Sequence, residues 1–344
     1  MAVSGRLLSV VAALLLFVLA LELLKAGAGG VTPALRGLGV SGMAGGVGIG
    51  WLAACGLLSG SPVAAIALSL LASGALTSAE AFGMIAGSRL GASFVVLLVG
   101  GLDDLRAGRR EGRSAYIGVA ALVATAVVYL PAMALAWRGL ESGALTWLRI
   151  EGRALEGVVG TLYGPVLSAA AHLPRLGLFA AGVAALLLAF RAFDRALPEV
   201  GGGDRPLLPA DHVVYRPWFM FGVGLAVTAL TLSVSVSLSL LVPLAARGYV
   251  RRENVWPYIL GANVTTLVDT LLAGALVGHH DAARMVALLM AAVTLLSLPA
   301  VFVFPRTFGR AIDRVARGAT TTVGAVAAFV ALLLAVPVAL LALL

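Results

Sequence analysis

Two stretches of the chain share one pattern: GWLAACGLLSGSPVAAIALSLLASG at residues 50–74 and GVGLAVTALTLSVSVSLSLLVPLAARG at residues 222–248. In each stretch, closely spaced serines interrupt an apolar segment. A second apolar segment follows each one, AFGMIAGSRLGAS at residues 81–93 and PYILGANVTTLVD at residues 257–269. The repetition predicts that the chain is built from two related halves.

Composition places the chain in a membrane. Of its 344 residues, 61% are hydrophobic and 12% are charged, which is too little polar surface to cover a water-soluble globule of this size. A hydrocarbon core about 30 Å thick needs about 20 apolar residues per helix. Such segments lie at 7–24, 81–101, 115–137, 176–190, 256–278, 283–304 and 319–344. The sequence therefore predicts an all-α integral membrane protein that crosses the cell membrane several times.

The net charge of +8 comes from arginines in short segments beside the predicted spans. Residues 103–113 (DDLRAGRREGR) and 305–318 (PRTFGRAIDRVARG) are the two most basic of these segments. Basic segments beside spans favour the cytoplasmic side, so we place both there and expect no nucleic-acid partner. Residues 191–217 are interpreted as a cytoplasmic linker, and residues 305–344 as a basic loop followed by a C-terminal transmembrane helix.

Charge also distinguishes the first repeat, residues 1–190, from the core of the second, residues 218–304. The loop between the paired segments is free of Lys and Arg in the first repeat and arginine-rich in the second (ARGYVRREN). This reversal predicts two repeats of inverted topology. The serine-broken segments 46–73 and 218–246 must each begin and end on one side, and each is too short for two full spans. Each is therefore predicted to be a re-entrant helical hairpin with its tip at the serines.

The serine clusters set the chemistry expected near the membrane centre. The N-terminal amides of broken helices favour an anion, and hydroxyls offer hard oxygen ligands to a small cation. The predicted substrate-binding residues are Ser59, Ser61, Arg89, Ser233, Ser235 and Asn263. The predicted ion-binding residues are Ser237, Thr265, Thr266 and Asp269. The alternative is that these Ser and Thr side chains only pack helices together.

These motifs resemble the sodium/phosphate cotransporter family, whose signature is a TA-x-x-QSSSATT segment followed by a GANIGTT segment in two inverted copies. The first element corresponds to Leu58-Ser59-Gly60-Ser61 and Leu232-Ser233-Val234-Ser235, and the second to residues 87–93 and 261–266. The resemblance extends over residues 14–299. It implies symport of phosphate, or a similar small anion, with sodium as the coupling ion and without a resident cofactor or metal.

The chain departs from the family pattern at several of these positions. The family's glutamine is Leu58 in one copy and Leu232 in the other, and Arg89 stands where the family has asparagine. A charge at membrane depth costs about 2.5 to 3.5 kcal/mol on insertion scales, so Arg89 needs a partner or a ligand. Its guanidinium suits bidentate capture of phosphate, sulfate or carboxylate, whereas the alternatives are pairing with Asp269 or snorkelling to an interface.

Asp269 has three candidate roles: it could ligate sodium, carry a transported proton, or neutralise Arg89, and the last is favoured. Three classes of function stay open for the chain. The first is a secondary transporter, and the second is a degenerate homologue with a structural or regulatory role. The third is a membrane lipid-diphosphate phosphatase, for which Glu80 is the only acidic candidate near AGSRLGAS. No catalytic residues are assigned, because the first class is preferred and is not an enzyme.

Overall fold

The computed structural model describes residues 3–98, 113–147, 153–196, 216–231, 237, 241 and 252–342. These residues are helical and contain no β-strand within the described ranges. The helices are α1 Val3–Gly37, α2 Gly42–Leu57, α3 Gly60–Ala72, α4 Ser78–Ala92, α5 Arg113–Glu141, α6 Arg153–Ala170, α7 Arg175–Ala196, α8 Pro217–Thr231, α9 Arg252–Thr265, α10 Leu267–Leu276, α11 Ala282–Phe302, α12 Pro305–Ala319 and α13 Val323–Ala342.

Seven stretches of the described chain are long and apolar enough to cross a membrane. They are Val11–Gly37, Ser78–Leu98, Ala115–Glu141, Arg175–Ala192, Asn254–Leu276, Ala282–Phe302 and Gly324–Ala342. Each overlaps one span predicted from the sequence, although the first runs to Gly37 rather than ending at residue 24. The prediction of an all-α, multi-pass membrane protein is confirmed at this level.

The chain reverses direction between α2 and α3, at the first serine cluster. Leu58 adopts a left-handed conformation with φ of 52°, and Ser59 is extended. The amides of both residues donate to the Ala54 carbonyl, so the break also caps α2. Gly60, the first residue of α3, lies against the Ser88 carbonyl near the end of α4. Since α3 then returns to the beginning of α4, it runs opposite to α4.

Close contact between glycines and backbone carbonyls joins α2 to α4. A Cβ atom added at Gly50 would lie 2.2 Å from the Met84 carbonyl oxygen, and one added at Gly87 would lie 2.2 Å from the Val47 carbonyl oxygen. Only glycine permits so close an approach of two backbones. Further glycines repeat the contact along both helices: Gly46, Gly83 and Gly91. Residue numbers rise together along the two helices, so α2 and α4 are parallel.

The same register recurs between α8 and α9. A Cβ atom at Gly224 would lie 2.0 Å from the Tyr258 carbonyl oxygen, and one at Gly261 would lie 2.1 Å from the Phe221 carbonyl oxygen. The constant shift in numbering that takes Gly50 to Gly224 also takes Met84 to Tyr258, Gly87 to Gly261 and Val47 to Phe221. The two halves therefore share one helix-packing arrangement, which the sequence pattern predicted only as a repeat.

Helices α4 and α9 begin at opposite ends of the bundle. At the end of the bundle that we call the Glu80 face, Phe82 near the start of α4 contacts Trp137 near the end of α5. At the other end, the Asp313 face, Tyr116 near the start of α5 donates to Asp313 in α12. Trp256 near the start of α9 packs on Phe308 of α12, so α9 begins at the Asp313 face.

The remaining helices surround this centre. Helix α3 is buried along almost its whole length. Helices α1 and α7 pack antiparallel through glycines, with Gly27 against Phe179 and Gly182 against Leu24. The C-terminal helix α13 packs on α2 and is mostly exposed, as suits a helix facing lipid. Residues 305–319, predicted as a loop, form α12 instead, because Pro305 starts a helix and the segment has one apolar stripe.

An ion pair at the Glu80 face fastens the end of α1 to the start of α4. Arg36 pairs with Glu80, and its Nη2 atom lies 3.1 Å from Glu80 Oε2. Glu80 also accepts from the Thr77 amide while the Thr77 hydroxyl accepts from the Glu80 amide, which completes a capping box. The Glu80 side chain therefore stabilises the fold at the start of α4.

Replacing Glu80 by alanine should lower the free energy of unfolding by about 2 kcal/mol, roughly half from the lost cap and half from the partly exposed ion pair. Glu80→Gln keeps a capping side chain and should cost less. Thermal unfolding can be followed by the reaction of the buried Cys55 thiol, the single cysteine of the chain, with a fluorogenic dye. Glu141→Ala, which alters an exposed contact with Trp137, is the control. Equal melting temperatures for Glu80→Ala and this control would contradict the assignment.

Candidate anion-binding site

Arg89 lies in the interior of the bundle, in the fourth turn of a candidate membrane span. Its residue surface is 2% exposed. Helix α4 is the most buried of the candidate spans, because it packs against α2, α3 and α5. The snorkelling alternative is therefore wrong in this structure, and the guanidinium must find its partners inside the protein.

The partners of Arg89 lie on the other half of the chain, at the break between α9 and α10. Arg89 Nη1 donates to the Thr266 hydroxyl at 3.0 Å and to the Thr266 carbonyl oxygen at 3.3 Å. Arg89 Nη2 donates to the Thr270 hydroxyl. Thr266 separates the two helices but keeps helical dihedrals, with φ of −63° and ψ of −16°. Arg89 therefore binds at a one-residue interruption of the span Asn254–Leu276.

Asp269 lies in the first turn of α10 and is connected to Arg89 through the Thr270 hydroxyl. The Thr270 hydroxyl accepts from Arg89 and donates to Asp269 Oδ1 at 2.9 Å. The Ser61 side chain, from the first turn of α3, lies beside the same carboxylate. Within the described residues, the hydrogen bonds of Arg89 go to Thr266 and Thr270 and not to Asp269. The expected neutralisation of Arg89 by Asp269 is thus indirect, through Thr270.

Two atoms of this cluster are buried without a hydrogen-bond partner in the described part of the chain. They are Arg89 Nε and Asp269 Oδ2. A buried polar atom left unpaired costs about 1 to 3 kcal/mol, and more when it is charged. One unused donor and one unused acceptor in the same cluster match a ligand that carries both an acceptor oxygen and a cation or donor group. This pair of atoms defines the candidate site.

The first turn of α3 lies beside the same cluster. Ser59 is the N-cap residue of α3, and its side chain makes no capping hydrogen bond. The N-terminus of a helix carries about half a positive charge, which favours an anion. With Ser61 beside Asp269, the first turn of α3 and the break in the second half meet at one place. Of the residues predicted to bind substrate or ion, Ser61, Arg89, Thr266 and Asp269 lie together in this cluster.

Asn263, which is the counterpart of Arg89 when Gly50 is aligned with Gly224, has a different role. Its side-chain Nδ2 atom donates to the Thr125 hydroxyl of α5 at 2.9 Å, and its backbone carbonyl oxygen accepts from the Tyr129 hydroxyl at 2.9 Å. Asn263 therefore holds α9 to α5. The predicted role of Asn263 as a substrate ligand stays a prediction, and in this arrangement its side-chain amide is engaged by Thr125.

Thr125→Val is expected to lower the free energy of unfolding by about 2 kcal/mol, because the substitution keeps the shape of the side chain and leaves the Asn263 amide buried without an acceptor. The matched control is Thr294→Val in α11, since among the described residues the Thr294 hydroxyl bonds only the Met290 carbonyl of its own helix. Thermal melting of the two purified variants provides the comparison. If both variants melt at the parent temperature, the bridging role of Thr125 is wrong.

The other predicted residues lie apart from this cluster or outside the described residues. The Ser237 hydroxyl lies 2.7 Å from both the Thr228 and the Tyr258 hydroxyls, so in this structure it belongs to the packing of α8 on α9. The Thr265 hydroxyl bonds the Gly261 carbonyl of its own helix at 3.4 Å. Ser233 and Ser235 fall outside the described residues. The sequence did not mark Thr270, Thr125 or Tyr129 as site residues, because isolated hydroxyls in apolar spans form no distinctive motif.

Comparison of the chain with protein-family models, with curated proteins and with solved structures gives no match. The fold and the site alone therefore define the class of protein. It is a multi-pass helical membrane protein that buries a hydrogen-bonded arginine, aspartate and threonine cluster where its two halves meet. The resemblance of its serine and glycine-asparagine motifs to sodium/phosphate cotransporters stays a prediction.

Proposed function

We propose that the protein is a secondary active transporter that moves phosphate, or a similar small anion, together with sodium through a site between its two halves. The observation that carries this proposal is the buried cluster in which Arg89 Nε and Asp269 Oδ2 both lack a partner within the described residues. A cluster with only a structural role gains nothing from unpaired charged atoms. A transport site needs them, because the ligand must enter and leave.

The anion would bind at Arg89 and at the start of α3. An arginine guanidinium presents its donors in a fixed fork that matches two oxygens of a phosphate. The Arg89 Nη atoms now bond Thr266 and Thr270, so an arriving anion would first meet the unused Nε and then compete for the others. The amides at the N-terminus of α3 and the Ser61 hydroxyl supply further donors.

Sodium would bind on the aspartate side of the same cluster. Asp269 Oδ2 is an unused, negatively charged oxygen, and the hydroxyls of Ser61 and Thr266 lie around the same cluster. Sodium is a hard cation that prefers such ligands. Binding of the cation neutralises Asp269 and leaves Arg89 free to attract the anion, which couples the two ligands by charge.

The packing of the two halves supports alternating access. The shared glycine register and the opposite starting faces of α4 and α9 are the features expected of inverted-topology repeats, and the reversal at Ser59 is the feature expected of a re-entrant hairpin. In such proteins one repeat rocks against the other around a fixed central site. The basic helix α12 at the Asp313 face favours a cytoplasmic location for that face in the cell membrane.

A second candidate is a homologue that no longer transports. The observation in its favour is that three hydrogen bonds from Arg89 already tie one half to Thr266 and Thr270 of the other. Such a brace would suit a protein with a fixed shape. The phosphatase alternative has less support, because Glu80 bonds Arg36 and Thr77 and lies about 14 Å along α4 from Arg89 at 1.5 Å per residue.

The proposal is tested by uptake of radiolabelled phosphate into proteoliposomes, with and without an inward sodium gradient. We expect sodium-dependent uptake by the parent protein and loss of at least about 100-fold in Arg89→Gln and Asp269→Asn, the scale of a lost charge-assisted contact of about 3 kcal/mol. The matched control is Ser88→Ala, since within the described part of the chain the buried Ser88 hydroxyl bonds only the Ile85 carbonyl of its own helix. Absence of uptake by the parent in both conditions would favour the non-transporting homologue.

A further inference from the structure

Helix α12 lies along one face of the bundle between two candidate spans. It follows α11 directly, and α13 begins shortly after it ends. Helix α11 runs toward the Asp313 face and α13 runs away from it, so both membrane ends that flank α12 lie on this face. A 15-residue helix between them lies at the bilayer surface rather than across the bilayer.

The arginines of α12 form one stripe. Arg306, Arg310, Arg314 and Arg317 follow one another at intervals of four, four and three positions, which places them within about one quarter of the helix circumference. All four are exposed. Among the described residues, Arg317 pairs with Asp313, whereas the structure gives the other three no acidic partner. The stripe therefore presents three uncompensated positive charges.

The rest of the α12 surface is partly packed against the protein and partly exposed and apolar. Ile312 and Ala316 are buried, and Phe308 packs on Trp256 at a ring-centroid distance of 5.1 Å. Between the arginine stripe and these contacts lie Ala311 and Val315, and Val315 is 48% exposed. The residues that lead into the helix, Phe302, Val303 and Phe304, are each at least 60% exposed.

We propose that α12 is a binding surface for anionic lipid headgroups, with its three unpaired arginines as the contacts to the lipid phosphates. A helix that places arginines beside an exposed apolar strip at the level of the membrane ends has the geometry of an interfacial helix. Basic side chains near an anionic surface each add about 1 kcal/mol of attraction. The proposal rests on the membrane fold and is independent of the proposed transport function.

The test uses a fluorescent reporter on α12 itself. Val315→Cys in a Cys55→Ser background is labelled with bimane, and the full-length protein is reconstituted in phosphatidylcholine vesicles that contain brominated phosphatidylglycerol or, separately, brominated phosphatidylcholine. We expect stronger quenching by the brominated phosphatidylglycerol at equal mole fraction. Replacement of Arg306, Arg310 and Arg314 by glutamine should remove this excess, with a loss of apparent lipid affinity of about fivefold per arginine.

Arg317→Gln is the control, because Arg317 is already paired with Asp313, and it should retain most of the preference. High salt should weaken the preference of the parent but not the quenching that comes from phosphatidylcholine. The proposal is overturned if the parent shows no preference for phosphatidylglycerol, or if the triple variant keeps it. Absence of quenching by either lipid would show that α12 does not lie at the bilayer surface, and would overturn it as well. The substituted arginines are all exposed, so size-exclusion profiles like that of the labelled Val315→Cys, Cys55→Ser protein are expected.

Discussion

Gly224→Ala should destabilise the protein by about 3 kcal/mol or more, and Gly50→Ala should do the same in the other half, because overpacking costs are largest where backbones cannot yield. At each position the new methyl group would lie 2.2 Å or less from a backbone carbonyl oxygen of the facing helix. Neither backbone can move without separating two helices along their whole contact. The loss should appear as a lower melting temperature by far-ultraviolet circular dichroism.

Each helix contains its own control. A Cβ atom at Gly222 in α8, or at Gly56 in α2, would meet no atom of the described residues within 4 Å. Alanine there removes backbone freedom from the unfolded chain and raises helix propensity, so Gly222→Ala and Gly56→Ala should be neutral or stabilising by up to about 1 kcal/mol. If Gly224→Ala and Gly222→Ala melt at the same temperature, the glycine-mediated register between α8 and α9 is wrong.

The second large effect is expected at the buried charges. Arg89→Gln leaves Asp269 as an uncompensated buried charge, and Asp269→Asn leaves Arg89 in the same state. Each single change should therefore cost about 3 to 5 kcal/mol. The double variant, which removes both charges, should be more stable than either single variant, because the two groups share Thr270 and do not act independently.

Thermal unfolding of the parent, the two single variants and the double variant measures this coupling. Phosphate added to the parent should also raise its melting temperature, since a ligand that binds only the folded state stabilises it. The same phosphate should leave Arg89→Gln unchanged. Strictly additive losses in the double variant would contradict the coupling through Thr270, and an equal phosphate effect in parent and Arg89→Gln would contradict the anion site.

Apolar length made the membrane spans predictable, and spacing made the two halves predictable. Because the alignment of Gly50 with Gly224 also aligns the carbonyls that face them, the repeat in the sequence carries the helix register. The same alignment pairs Arg89 with Asn263, so two different polar residues occupy one position of the repeat. It could not show that Arg89 binds the opposite half while Asn263 binds α5.

The remaining differences come from information that an apolar sequence does not carry. The side of a uniformly apolar helix that faces the protein is set by packing with distant segments, so Thr125 and Tyr129 of α5 gave no signal of their contact with Asn263. Ser237 belongs to a conspicuous serine run, yet its hydroxyl bonds Thr228 and Tyr258. The number of arginines in residues 305–318 indicates the orientation of the membrane spans, whereas only the spacing of these arginines distinguishes helix α12 from a loop.

Labelling of one position before α2 and one position before α8 tests the opposite orientation of the two halves most directly. Ser41 directly precedes α2 and Arg216 directly precedes α8, and both are exposed. Ser41→Cys and Arg216→Cys, each in a Cys55→Ser background, are treated in intact cells with a membrane-impermeant maleimide. We expect the cysteine at position 41 to react in intact cells and the one at position 216 to react only after the membrane is permeabilised. Reaction of both cysteines from the same side of the membrane would contradict the inverted arrangement and the shared site built on it.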